Sequence, residues 1–573
     1  MTKRKMLKFI CLCMCAVMAT GSMFACSSSN TPTRETNTIN IRAYKGGYGT
    51  AHLSALIEKF NKVYEDEGYK AVLLSPSTTM QGSVAQKEMA SKNDWADVYY
   101  TSNISLSMLV ENKDFGTLVK NLEEEVLQKP AIDFEGNEES RTIDSKLNLK
   151  EYEELSTYNG DHYGLNGGIS LGGLIVNTEK LSRYGLEIPK TTNEMINCFD
   201  TIYQGNSLQD GSAVTNQYPI TCLGNANGYH SHFYNAWVAQ YEGGEWWDSF
   251  WSLEDKEGNY LSENGYALFE SDGLREAMIE LYRVYDAAYL ATGSLQNTLA
   301  TAHEKIMNSS YGAVFMADGD WAYNEIIVDN KDKINNLMFI NIPVISALGT
   351  KLFGEGTTYN FNAEKCEEIL SWVIGKADDG ATSAQIVSLA SSEKEWTLAE
   401  KDVVEIMQAR GVYNGRSLGT AGNWFVSDKT ENAEICYLFL RMAASEDNAR
   451  LMADKAHMFS VYTENYDLMG ESDYWKSFAK ILSNPYANGV WTVTTGLRSK
   501  VVSLNNVILP ASGYIFHNEI LSEAKTAYTL GTTIKGSDEV FSTAADERLA
   551  KDIALVKSSW QKWMTDAGVV SNG

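Results

Sequence analysis

The 573 residues carry 48 basic and 74 acidic side chains, a net charge of −26 at pH 7, which argues against nucleic acid and anionic lipid surfaces as partners. A hydrophobic share of 44% is that of a globular chain, and only 8 prolines are present, so no long proline-rich linker divides it. The chain also exceeds the roughly 250–300 residues at which a single core stops growing, so lobes wound into each other are expected.

In chain order, Lys3, Arg4, Lys5 and Lys8 precede an apolar run from Phe9 to Val17 that fades through Met18 to Phe24. Ala25-Cys26 and then Ser27-Ser28-Ser29-Asn30 follow. A basic start, a short apolar stretch and a small residue at the break read as an export signal. The stretch is too short for a spanning helix, which needs ~20 apolar residues. Met23-Phe24-Ala25-Cys26 resembles the lipobox of bacterial lipoproteins. That resemblance implies removal of residues 1–25, lipidation of Cys26 and a flexible tether over 26–38, rich in Ser, Thr, Asn and Pro. Membrane contact would then be through lipid alone, and more than one acyl chain holds stably. The plainer alternative is a secretory signal that contains a cysteine. Cys11, Cys13 and Cys15 leave with the signal, so Cys198, Cys222, Cys366 and Cys436 remain, without C-x-x-C spacing. A zinc site is not expected. Cys198 and Cys222 could bridge in an oxidising compartment or stay as buried thiols.

Ile39 to Tyr44 alternates as a strand, Lys45-Gly46-Gly47-Tyr48-Gly49 breaks it, and Leu53, Leu56, Ile57, Phe60 and Val63 share a helical face. Strands at Tyr69–Leu74 and Ala96–Tyr100 flank a helix over Gln86–Ser91. This β-α-β-α-β order predicts a parallel sheet covered by helices. Ligands in such sheets bind beyond the carboxyl ends of strands, here Lys45–Tyr48, Ser75–Gly82 and Thr101–Asn103. A helix is predicted over Leu109–Val126, a charged excursion over Lys129–Tyr152, and a glycine-rich strand over Asn166–Asn177. Helices follow at Thr191–Tyr203 and Gly273–Leu290, strands at Tyr218–Ile220, Tyr311–Met316 and Leu337–Val344, and a hairpin at Leu253–Tyr260. Glu364–Asn414 is helical and acidic, and helices at Glu431–Ala444, Glu446–Ala456 and Asp538–Met564 close the chain.

Several stretches, in this order and spacing, resemble the extracellular solute-binding proteins of carbohydrate ABC importers. They are Ile41–Tyr48 with Phe60-Asn61, Ala96-Asp97-Val98, Asn159–Leu165, Leu174–Leu181, and Tyr184-Gly185-Leu186 with Pro189 and Thr191–Met195. Further on come Tyr311–Met316 with Gly319-Asp320-Trp321, Ile342-Pro343, and Ala444–Asp447. The likeness spans Ile39 to Trp563, with insertions at 129–152, 234–264 and 364–414. It implies an α/β, two-lobed, periplasmic-binding-protein-like (type II) fold, each lobe a mostly parallel sheet flanked by helices and joined by crossing strands. Residues 39–168 with 340–425 are expected in one lobe, and 169–339 with 426–573 in the other. The implied function is capture of a carbohydrate between the lobes and delivery to permease subunits with a separate ATPase. The expected protein is a monomer that performs no chemistry and needs no cofactor or metal.

Sugars offer hydroxyl rims and weakly apolar CH faces, so a sugar cleft needs aromatic rings and hydroxyl-pairing side chains. The chain has 31 Tyr and 13 Trp. Trp321 matches the family's cleft-facing tryptophan or is a core tryptophan, and Asp320 beside it is a hydroxyl acceptor. Asp97 could pair a hydroxyl or cap a helix. Tyr44 and Tyr48 flank the loop at the mouth, while Gln81, Asn103 and Asn166 lie on expected cleft loops. Trp237, with Tyr241 one turn on, is a site stripe or core. Trp424 marks a crossing between lobes, and Tyr514, near Phe516, a further stacking position. His230 and His232 with Asp248 match no metal spacing and read as surface-loop histidines; Asp255–Asn259 reads as a hairpin turn rather than a calcium loop. The rivals are a surface carbohydrate hydrolase, which needs two carboxylates about 5–10 Å apart, a binder of a non-sugar solute, and an adhesive lipoprotein.

Overall fold

The computed structural model describes residues 36–91, 95–104, 106–111, 116–147, 156–204, 217–223, 229, 231–308, 312–330, 336–415, 422–463, 473–490, 496–501, 504 and 536–569. Strand Thr38–Ala43 turns Ile39, Ile41 and Ala43 inward with the period of two that a pleat requires. Helix Ala51–Val63 buries Leu53, Leu56, Ile57 and Phe60 against it. Asn61 fastens that helix to the next strand, Lys70–Leu73: its amide donates to the Ala71 carbonyl at 3.0 Å and accepts from the Ala71 N–H at 2.6 Å. Helix Gly82–Ala90 and strand Val98–Thr101 complete the expected β-α-β-α-β unit, with Thr38–Ala43 central and all three strands parallel.

Two further strands finish this first sheet, Asn423–Val426 and then Leu165–Asn166, each antiparallel to its neighbour. The second sheet runs Gln217–Thr221, Gly312–Gly319, Leu171–Asn177, Val412–Gly415 and Asn488–Val490, with Leu337–Ile340 also paired to Leu171–Asn177. Leu171–Asn177 is buried at every position and antiparallel to all three of its partners. The sheets are therefore mixed rather than mostly parallel. The reason is directional: strands that arrive from the other sheet run away from the junction, and strands begun locally run toward it.

The division of the chain between sheets also differs from expectation. Helices Ala363–Asp378, Ser383–Lys394 and Glu400–Gly411 and strand Val412–Gly415 build onto the second sheet. Helices Ala433–Ala443 and Glu446–Ala456 pack on the first, where Cys436, Phe439 and Leu440 join Phe60 and Val98 in one core. Amphipathic periodicity marks a buried face but does not say which of two cores covers it. The predicted helix over Leu109–Val126 is reduced to Leu106–Val110 and a single π turn, Glu123–Leu127. The charged excursion is a hairpin, Pro130–Ile132 with Glu138–Thr142, and a short helix, Ile143–Lys146.

The two sheets meet where the chain passes from Asn166 to Leu171. The Gly167 N–H donates to the Gly422 carbonyl at 3.0 Å, and the Ile169 N–H to the Phe459 carbonyl at 2.8 Å. A Cβ on Gly167 would stand 2.3 Å from the Gly422 oxygen and 2.6 Å from the Tyr100 ring, so only glycine lets these backbones touch. At the far end, helix Asp538–Asp566 lies along Asp272–Val284 and buries Ala545, Leu549, Val556, Trp560 and Met564. Cys198, Cys222, Cys366 and Cys436 are separate buried thiols. Burial pushes Cys198 up to about 11 and Cys222 up to about 12.

Candidate functional site

The seam between the sheets gathers the site. Strand Thr38–Ala43 ends, and the loop after it turns Tyr48 inward until the side chain is buried. The Tyr48 hydroxyl donates to Asp320 Oδ2 at 2.7 Å. Asp320 follows strand Gly312–Gly319 of the second sheet, and its other oxygen, Oδ1, accepts from the Leu171 N–H at 2.9 Å. The Asp320 N–H returns to the Leu171 carbonyl at 3.0 Å. One carboxylate thus ties a first-sheet loop, the end of a second-sheet strand and the start of the crossing strand. Complete burial pushes Asp320 up from 3.8 to about 7, against the lowering effect of the Tyr48 and Leu171 donors.

Trp321 is 2% exposed and packs with Tyr48, Met452, Ala456 and Met458 from the first sheet's side. Its ring lies 5.7 Å from Tyr229 and 6.4 Å from His232, the latter edge-on. It folds back over Gly319, where a Cβ would fall 2.0 Å from the indole. His232 fits because strand Leu171–Asn177 has glycine opposite it: a Cβ on Gly172 would stand 2.3 Å from His232 Nδ1. A second polar clasp crosses the seam beside Trp321. Asn324 Nδ2 donates to the Ala456 carbonyl at 2.5 Å, and Asn324 Oδ1 shares a 2.8 Å hydrogen bond with His457 Nδ1. His457 lies parallel to Trp475 at 6.0 Å, and burial lowers its affinity for a proton.

Tyr48, Asp320 and Trp321 are therefore brought together. Gln81 and Asn103 meet at the carboxyl edge of the first sheet, the Asn103 amide donating to Gln81 Oε1 at 2.8 Å. Tyr44 is half-buried on the same edge, bridged to Ser77. Asn166 sits at the crossing, its N–H donating to the Tyr462 hydroxyl at 3.1 Å.

Three candidates belong elsewhere. Asp97 is fully buried below the strand ends; Oδ2 accepts from the Asn40 N–H at 2.9 Å and Oδ1 from Thr430 at 2.7 Å, which leaves it a structural clamp. Trp237 is core, stacked on Phe233 at 5.3 Å with its indole N–H on the Pro343 carbonyl at 3.0 Å. Trp424 enters the first sheet and packs between Tyr100 at 4.6 Å and Phe439 at 5.5 Å. Tyr514 and His230 lie outside the described residues. His232, expected on a surface loop, is buried on helix Ser231–Glu242. Tyr229, Met452, Met458, Asn324 and His457 were not anticipated; the one sequence signal for the ring next to Trp321 is Gly172 in an otherwise apolar strand. Among the described residues no cluster of three or more His, Cys, Asp or Glu could hold a metal, and no helix is long and apolar enough to cross a membrane.

No protein-family model matches the sequence, and no curated protein does. Solved structures do. The GacH receptor of Streptomyces glaucescens, determined unliganded and with acarbose, aligns at TM-score 0.53 and 14% identity over 92% of this chain and 98% of that one. RafE from Streptococcus pneumoniae aligns at 0.54 and 12% over 91% and 100%. A chitin oligosaccharide binding protein aligns at 0.51 and 10% over 91% and 100%. The chain has the solute-binding-protein fold. In this solute-binding-protein fold the seam that holds Tyr48, Asp320 and Trp321 lies between the two sheets, beside the crossing at Gly167.

Proposed function

We propose that the chain is the capture subunit of an ABC importer, a two-lobed type II binding protein that closes on a carbohydrate between its sheets and presents it to a permease. The observation that carries this reading is the aromatic and carboxylate cluster at the seam, in a fold shared with proteins described with acarbose, raffinose and chitin oligosaccharides. Trp321 and Tyr229 supply apolar faces for sugar CH surfaces, Asp320 an acceptor, and Gln81, Asn103 and Asn166 an amide rim for hydroxyls. Closure follows from higher affinity of the closed arrangement for ligand. The N-terminus fits an exported protein held at the membrane by lipid on Cys26, acting as a monomer. The energy for import comes from a separate ATPase subunit.

A thermal-shift screen from mono- to hexasaccharides tests this. A ligand at one hundred times its Kd stabilises by ~2.7 kcal/mol. Trp321→Ala should abolish the shift for the sugar that gives it. A flat response to every sugar overturns the carbohydrate reading, and release of shortened products from a labelled oligosaccharide would replace it with the hydrolase.

A further inference from the structure

The second sheet's body carries a cavity that the seam does not use. It measures about 550 Å³, within the ~300–1,000 Å³ usual for small-molecule sites. Its walls come from strand Leu337–Ile340, the ends of helices Ala363–Asp378 and Glu400–Gly411, and helix Asp473–Leu482 with the turn after it. No residue of the first sheet or of the seam lines it. The inserted helices therefore have a consequence: without residues 377–383, Met407 and Arg410, one whole wall would be missing.

Two properties of the lining define an occupant. The floor is apolar, built from Ile188, Met338, Ile340, Met407 and Ile481. The ionisable groups are three cations, Lys190, Arg410 and Lys480, against one carboxylate, Asp378. This local excess is opposite in sign to a chain of net charge −26. The one carboxylate is already engaged: Arg410 grips it with Nε at 3.0 Å and Nη2 at 2.8 Å, while Lys480 Nζ sits on the Asp378 carbonyl at 2.9 Å. The third guanidinium nitrogen of Arg410, Nη1, is buried without an acceptor. Asn341 holds the backbone of Arg410 in place through a 2.7 Å hydrogen bond to its carbonyl.

We propose that this cavity binds an anionic amphiphile, a carboxylate on a short hydrocarbon body. The body lies on the Met and Ile floor, and the carboxylate takes the Lys480 ammonium at the cationic rim. The charge sign selects the head group and the apolar floor selects the tail. The site stands apart from the carbohydrate reading and does not depend on it.

The test uses the full chain and isothermal titration with octanoate and with octanamide, which shares the tail and lacks the charge. Octanoate should bind one-to-one and at least tenfold tighter than octanamide. Lys480→Met, a change at an exposed ammonium, should weaken octanoate at least fivefold and leave octanamide unchanged. Met407→Trp, which puts an indole where the hydrocarbon body would lie, should weaken binding of both at least fivefold. Thermal melts of each variant show that it is folded, and its response to sugars is scored separately. Equal binding of octanoate and octanamide, no binding of either, or variants that bind as the parent does would each overturn the proposal.

Discussion

Asp320 concentrates the seam into one side chain. Its carboxyl is fully buried, yet it accepts from a tyrosine on one side and a backbone N–H on the other. Burial dominates and raises it from 3.8 to about 7. Between those two values the unfolded chain has released the proton and the folded chain keeps it, so stability falls as pH rises through that window. An asparagine at this position would retain an acceptor and carry no charge. Asp320→Asn should therefore gain stability relative to the parent as the pH is raised from about 4 to about 8. Thermal melts of both proteins at the two ends of that window check it, and a difference that does not change with pH would assign the shift to another group. At the same scale, Gly172→Ala puts a methyl group 2.3 Å from the His232 ring in a strand buried on both faces. The imidazole must move against Trp321, and overpacking of this kind costs about 1–3 kcal/mol. Urea unfolding of the variant measures it.

At the scale of elements, local pattern was a good guide and pairing was not. The first β-α-β-α-β unit could be read residue by residue because its strands alternate and its helix repeats Leu53, Leu56, Ile57, Phe60 on one face. The return of the chain to the first sheet at Asn423 is marked by Trp424 alone, and the helices around it give no guide: Ala433–Ala443 and Ala363–Asp378 are both amphipathic, and each suits either core. Trp237 and Trp424 show the same gap for the site, since an aromatic at helical or strand spacing reads alike whether it meets a ligand or Phe233 and Phe439. Trp321 was legible only as part of a motif after a buried strand, and its first-sheet partners Met452 and Met458 lie more than a hundred residues on. The long C-terminal helix was legible and makes a clear prediction. Trp560 is buried on it, with its indole N–H on the Ser262 carbonyl at 2.8 Å, and Arg275 grips Asp546 at 2.6 and 3.2 Å further up. Trp560→Ala should cost about 3–5 kcal/mol, the usual range for a buried aromatic, while removal of the exposed Arg275–Asp546 pair should cost under about 1 kcal/mol. Urea unfolding of the two variants beside the parent separates these losses.

For the molecule as a whole, the decisive contact is the one that lets two sheets share a chain. Gly167 donates to Gly422, Ile169 to Phe459, and the Tyr100 ring covers both glycines. The proposed closure would rotate about these crossings, where a few residues absorb the change in backbone angle. A methyl group on Gly167 would meet the Gly422 carbonyl at 2.3 Å, and backbone, unlike a side-chain tip, cannot swing aside. The crossings must separate, which tilts one sheet against the other and displaces Tyr48 from Asp320. If the chain captures sugar as proposed, Gly167→Ala should therefore weaken that binding by more than its loss of stability accounts for, and small-angle scattering should show a smaller contraction on adding the sugar. Gly375→Ala is the matched control: it lies in helix Ala363–Asp378, its added Cβ meets only the tip of Lys190 at 3.6 Å, and it should leave both quantities unchanged. If the two variants bind and contract alike, the sheets turn about some other part of the chain and Gly167 serves packing alone.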